Sequence, residues 1–150
     1  MTQDWMKRGG EIFLDLATDS LKAAAENIQL KKFPQSVQFS MAAIEYSFKA
    51  ASRYVSAPIG KTHDVAQQFD ALIQRLPNLF RAGLFEFIEV GSAIQTIREL
   101  SEYGIPDSGV SPDDIYDENK SKDKLTLATQ AYGFCCKVIR SKILSEGDLN

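Results

Sequence analysis

Pro34-Gln35-Ser36-Val37-Gln38-Phe39-Ser40-Met41-Ala42-Ala43-Ile44-Glu45-Tyr46-Ser47-Phe48-Lys49-Ala50-Ala51-Ser52-Arg53-Tyr54-Val55-Ser56 is the stretch whose reading decides the fold. Val37, Met41, Ile44, Phe48, Ala51 and Val55 recur at steps of four and three, the spacing of one face of an α-helix. A second apolar stripe follows two residues behind: Phe39, Ala43, Tyr46, Ala50 and Tyr54. A helix with two stripes is buried on more than one side. It is either the centre of a bundle or a helix that lends one stripe to a second chain. Ala42, Ala43, Ala50 and Ala51 are small enough to let a neighbouring helix approach closely. Pro34 suits the first turn, where its missing N–H would have had no helical partner.

Outward from this helix, the same periodicity recurs and sustained strand alternation does not. A first helix is expected from about Glu11 to Leu30, with Phe13, Leu16, Ala17, Leu21, Ala24 and Ile28 on one face. Lys31-Lys32 ends it, where cations complement the helix C-terminus. Beyond the loop marked by Pro58 and Gly60, a third helix is expected from about Asp64 to Leu76. Pro77-Asn78 breaks it. A fourth is expected from about Leu84 to Glu102, burying Phe87, Ile88, Gly91, Ile94 and Ile97. Gly104, Pro106, Gly109 and Pro112 define one long loop to about Asn119. The last helix is expected from about Lys122 to Leu144, with Leu125, Ala128, Tyr132, Cys135, Ile139 and Ile143 on one stripe. The expected fold class is all-α: an up-and-down antiparallel bundle of four to five helices. Without repeat, low-complexity tract or linker, residues 1–150 read as one domain.

The chain has 150 residues, 44% hydrophobic and 25% charged, as in an ordinary soluble domain with a core of its own. No run approaches the ~20 apolar residues that span a membrane. The N-terminal stretch has basic residues but no apolar run behind them, unlike a secretory signal. Seventeen basic and 20 acidic side chains give a net charge of −3, which argues against a strongly basic nucleic-acid coat. The charge is uneven, with basic residues in excess up to His63 and a purely acidic stretch from Asp107 to Glu118. Cys135 and Cys136 are helix neighbours, about 100° apart around the axis, and poorly placed to bridge each other or share a metal. With His63 the only histidine, neither a metal site nor a cofactor is expected. A reduced, buried cysteine fits a cytoplasmic protein.

Several of these residues together resemble a known family. Ala43-Ile44-Glu45-Tyr46-Ser47-Phe48-Lys49-Ala50 is similar to the HEPN signature of an alanine, a glutamate and, four residues on, a lysine-alanine pair. Lys61-Thr62-His63-Asp64-Val65 is similar to the family's start of the third helix. Trp5 and then Ala17 through Leu21-Lys22-Ala23-Ala24 resemble its first helix, and Lys32-Phe33-Pro34-Gln35-Ser36-Val37 its inter-helix turn. Met41-Ala42 stands where many relatives carry paired glutamines, and Ser20 where they often have Asp. These departures bear on any polar pocket built there, not on the fold. The resemblance implies a helical bundle, commonly a homodimer, here with the second and fourth helices at the contact. Some members are ribonucleases or toxins of toxin-antitoxin pairs. Others partner minimal nucleotidyltransferases or bind nucleotides or RNA. In the nuclease members an Arg is followed, four to six residues later, by a His, and two chains bring these motifs together in a cleft. There the cation can stabilise a phosphate while the imidazole moves a proton.

Arg98 lies in the matching region, but Tyr103 occupies the fifth position beyond it and no His is within reach. A phenol with an ordinary pKa near ~10 is a poor general base at neutral pH. It can still hydrogen-bond or stack on a base. The expectation is therefore a noncatalytic module that binds a nucleotide, RNA or a nucleotidyltransferase partner, with no catalytic residue assigned. Arg98, Tyr103, His63 and Lys61 are the candidate ligand contacts. His63, near a helix N-terminus, is either a wall of a phosphate pocket or a residue that orients the loop. Glu45 and Lys49, at i and i+4 with the glutamate first, are the candidate structural ion pair. The alternatives are a diverged metal-independent ribonuclease and a purely structural helical adaptor. No Gly-rich phosphate loop and no Gly-x-Ser-x-Gly elbow is present.

Overall fold

Helix α2, Phe33–Tyr54, is the element around which the others pack. The computed structural model describes residues 2–55, 74, 76 and 78–148. Val37, Met41, Ala43, Ile44, Phe48, Ala50 and Ala51 of α2 are all fully buried. Both apolar stripes are therefore covered along most of their length; Phe39 is exposed, and Tyr46, Tyr54 and Val55 are half-buried. Full burial of a side chain the size of Ile44 or Phe48 stabilises the fold by about 1.5–3 kcal/mol. Met41, where the resemblance implies a polar residue, is core.

Helix α1, Thr2–Gln29, lies antiparallel to α2. Phe13 stacks on Tyr46 at 6.2 Å near one end of the pair. Near the other, the buried Ser36 hydroxyl donates to the Ala24 carbonyl at 2.8 Å. The helix begins well before the expected Glu11 and runs through Gly9-Gly10. At Gly10 a Cβ would press into the Tyr54 ring, so the glycine is there for close packing. The α1–α2 connection is a tight reversal. Lys31 adopts a left-handed φ of 59°, and the N–H groups of Lys31 and Lys32 donate to Ile28 and Asn27. That is a Schellman motif with lysine where glycine is usual.

The third expected helix, Asp64 to Leu76, and its preceding loop lie outside the described residues, save Gln74 and Leu76; Leu76 is buried in the core. The expected fourth helix is two helices, α3 Asn78–Phe85 and α4 Ile88–Tyr103. A tight turn at Glu86-Phe87 divides them, with Glu86 N–H on the Gly83 carbonyl and Phe87 N–H on that of Leu84. Leu84, Phe87, Val90 and Ile94 are buried on either side of the turn, which is why apolar periodicity alone runs straight across it.

The expected long loop is folded. Gly104 (φ 67°) ends α4, at a conformation that favours glycine and with Val110's carbonyl where a Cβ would stand. Ile105 and Val110 exchange backbone hydrogen bonds around a 3-10 turn, Pro106–Ser108. Helix α5, Pro112–Ile115, opens on a capping box between Ser111 and Asp114. Helix α6, Glu118–Asp148, starts earlier than expected because the Asp117 carboxylate accepts from the Lys120 N–H at 2.8 Å. Its core face is centred on Ala128, Ala131, Cys135 and Val138, and Ile143 at the end of the stripe is exposed. Among the described residues no strand forms and no helix is long and apolar enough to cross a membrane.

Candidate functional site

The Glu45 carboxylate is 2% exposed, and α2 and α4 hold it from two sides. Lys49, one turn later on α2, places Nζ 3.1 Å from Oε1. Arg98 on α4 places Nη1 2.8 Å from Oε2. The expected pair of Glu45 and Lys49 is thus part of a three-member cluster whose third member is Arg98, 53 residues away in sequence. Two further bonds fix this part of α4. The Gln38 amide donates to the Ser101 carbonyl at 3.1 Å, and the Ser101 hydroxyl donates to the Arg98 carbonyl at 2.8 Å.

The cluster continues into an aromatic patch. Lys49 Nζ lies 5.8 Å from the centre of the Phe13 ring, and the Arg53 guanidinium carbon 5.9 Å from the same ring. These are cation–π distances. Tyr46, Lys49 and Arg53 stand at i, i+3 and i+7, one face of α2, and Phe13 of α1 closes over them. Arg98, Lys49 and Arg53 form a basic stripe interleaved with Phe13 and Tyr46. The one buried carboxylate pairs with two of these cations, Lys49 and Arg98, while Arg53 joins the stripe through the Phe13 ring. The side chains of the stripe are half-buried, so their charged ends are held in place while part of each stays open to solvent. Nearby, burial and then the Glu11 carboxylate push the Tyr54 phenol above its usual range.

Tyr103 is 62% exposed at the last position of α4. A five-residue step on a helix turns the side chain about 140° away, so Tyr103 does not share a face with Arg98 of the same chain. Lys61 and His63 lie outside the described residues. Of the expected site residues, the fold thus brings Glu45, Lys49 and Arg98 together and leaves Tyr103 apart. Phe13, Tyr46 and Arg53 were not singled out from the sequence. The i, i+3, i+7 step of Tyr46, Lys49 and Arg53 was the available signal, but nothing in sequence ties Phe13 to it. Cys135 is a free, buried thiol and Cys136 a half-buried one. Burial, and then the Cys136 neighbour, push the Cys135 thiol well above its usual range, so it is a packing residue rather than a nucleophile.

Among known proteins, the family model described as HEPN domain matches residues 11–139. No curated protein and no solved structure matches the chain. The matched span includes the whole basic stripe and ends within α6.

Proposed function

The chain belongs to the HEPN domain family, and from that premise we propose that it is a noncatalytic, homodimeric module that binds a nucleotide or RNA through the Arg98–Lys49–Arg53 stripe. Fold membership alone does not assign a ligand. The observation that carries the proposal is the stripe itself: two cations, Lys49 and Arg98, share one buried carboxylate, and Lys49 and a third cation, Arg53, lie over the Phe13 ring, which stacks on Tyr46. Cations held in place at a partly exposed surface attract phosphate, and aromatic faces accept bases. Glu45 acts as the positioning group, since its carboxylate accepts from one guanidinium nitrogen of Arg98, whose side chain keeps 35% of its surface open to solvent. Tyr103 in place of the histidine of the nuclease members supports binding without turnover. Tyr103 is a ligand or dimer contact in this reading, and Lys61 and His63, outside the described residues, are further candidate ligand contacts on the sequence resemblance alone. A minimal nucleotidyltransferase is the protein partner for such a module, docking where its nucleotide is presented.

The test combines light scattering with fluorescence titration of a labelled single-stranded RNA and of AMP. The proposal expects a dimer at micromolar concentration and binding that weakens as salt rises. Lys49→Ala and Arg53→Ala should each reduce affinity by about tenfold, the scale of one lost phosphate or cation–π contact. A monomer that retains neither probe overturns the proposal. RNA cleavage in the presence of chelator, lost in Arg98→Ala, would replace it with the ribonuclease reading.

A further inference from the structure

A second concavity lies away from the basic stripe, between the α3–α4 turn and the middle of α6. It encloses about 440 Å³ and is lined by Gly83, Glu86 and Phe87 on one wall and by Gln130, Gly133, Phe134 and Lys137 on the other. That volume is in the range of small-molecule sites. The floor is aromatic and fixed: Phe87 and Phe134 pack on each other at 5.7 Å, and both pack on Phe48 in the core. Gln130, Gly133, Phe134 and Lys137 recur at steps of three, one and three, so they form one face of α6.

The two glycines of this cleft differ in a way that points to an occupant. At Gly83 an added Cβ would stand 2.6 Å from the Phe134 ring, so packing accounts for that glycine. At Gly133 an added Cβ would meet nothing within 4 Å. A glycine inside a helix destabilises it relative to alanine, and here no neighbour gains from the missing methyl. What Gly133 provides is a bare strip of helix backbone on the cleft wall. The same lining carries groups of opposite sign on opposite walls, the exposed Glu86 and Lys137, and among the described residues no ion pair joins either to another side chain. The Gln130 amide adds one donor group and one acceptor.

We propose that this cleft binds a small zwitterion with an apolar body, of the class of a free amino acid with an aromatic or branched aliphatic side chain. Its ammonium pairs with Glu86 and its carboxylate with Lys137, while its apolar body lies over Gly133 against the Phe87 and Phe134 edges. The site is independent of the nucleotide reading, because none of the stripe residues lines it. The test is isothermal titration of the full chain with L-phenylalanine and L-leucine, beside phenethylamine and 3-phenylpropanoate, which carry one charge each. The zwitterions should bind about tenfold more tightly than either single-charge analogue. Glu86→Gln and Lys137→Met should each weaken binding by a similar factor without lowering Tm. Gly133→Ala should raise Tm and abolish binding, a combination that a merely structural glycine would not give. Unchanged binding in Gly133→Ala, equal binding of the four probes, or no saturation by about 10 mM overturns the proposal. Lys49→Ala should leave it intact, which separates its failure from that of the stripe.

Discussion

Replacing Glu45 with glutamine tests the central cluster most directly. The substitution keeps the side-chain volume and removes the charge that two cations share. At an effective dielectric constant of about 20, unit charges 2.8 Å apart attract by about 6 kcal/mol gross, and the 3.1 Å pair by slightly less. Desolvation of a buried carboxylate takes back several kcal/mol. Removing one member of a buried pair costs about 3–5 kcal/mol when the partner is left buried too. Here Lys49 is 14% and Arg98 35% exposed, so water recovers part of the loss. The expected cost is therefore about 2–3 kcal/mol. In urea, with a slope of roughly 1.5 kcal/mol/M, the midpoint should fall by about 1.3–2 M. A double-mutant cycle with Arg98→Gln should return a coupling of about 1–2 kcal/mol. A midpoint that hardly moves, or a cycle with no coupling, would refute the claim that Glu45 organises α2 against α4. It would also remove the basis for treating Arg98 as a positioned cation.

Three further outcomes follow from local features. Lys31→Gly should stabilise the chain by about 0.5–1 kcal/mol in thermal or urea unfolding, because Lys31 sits at a φ of 59° that glycine adopts without strain. Gly104→Ala should destabilise it by about 1–3 kcal/mol, since φ is 67° and the new methyl meets the Val110 carbonyl. A disulfide reagent should modify one thiol, Cys136, in the folded chain, with Cys135 reacting only on unfolding. The Cys135 thiol is raised in the fold, so its contribution to stability is complete below the unfolded thiol value near ~8.5 and is lost as pH rises above it. Stability that fell less steeply between about pH 8.5 and 10 in Cys135→Ala than in the parent would confirm the sign.

The centre of the fold was legible because burial on two sides writes two stripes into one helix. Phe48 and Ala43 belong to different stripes and both are fully buried. The α3–α4 break was not legible. Leu84, Phe87, Val90 and Ile94 keep apolar spacing across it, and the turn residues Glu86 and Phe87 carry no turn signature. Gly104, Pro106 and Gly109 announced a turn region, but the bridge between Ile105 and Val110 depends on a chain reversal that composition does not encode. Ser111 and Asp114 did carry a readable signal, a capping box three residues apart with Pro112 in the first turn. At the site, Glu45 and Lys49 are local and were paired from sequence. Arg98 was singled out as a ligand contact, and its bond to Glu45 spans 53 residues, a distance at which spacing says nothing.

That bond changes what Arg98 can do. A guanidinium has five N–H donors in a fixed plane, and the Glu45 carboxylate engages one end of it. The same contact that keeps Arg98 from roaming as a free surface cation also aims its remaining donors. Lysine at this position would keep the charge and one bond but lose the fork. Arg98→Lys should therefore retain most of the stability that Glu45 confers while binding the RNA probe more weakly than the parent. Arg98→Gln should lose both. If Arg98→Lys bound RNA as tightly as the parent, the guanidinium would serve only the fold, and the ligand contacts of the stripe would fall to Lys49, Arg53 and the rings of Phe13 and Tyr46.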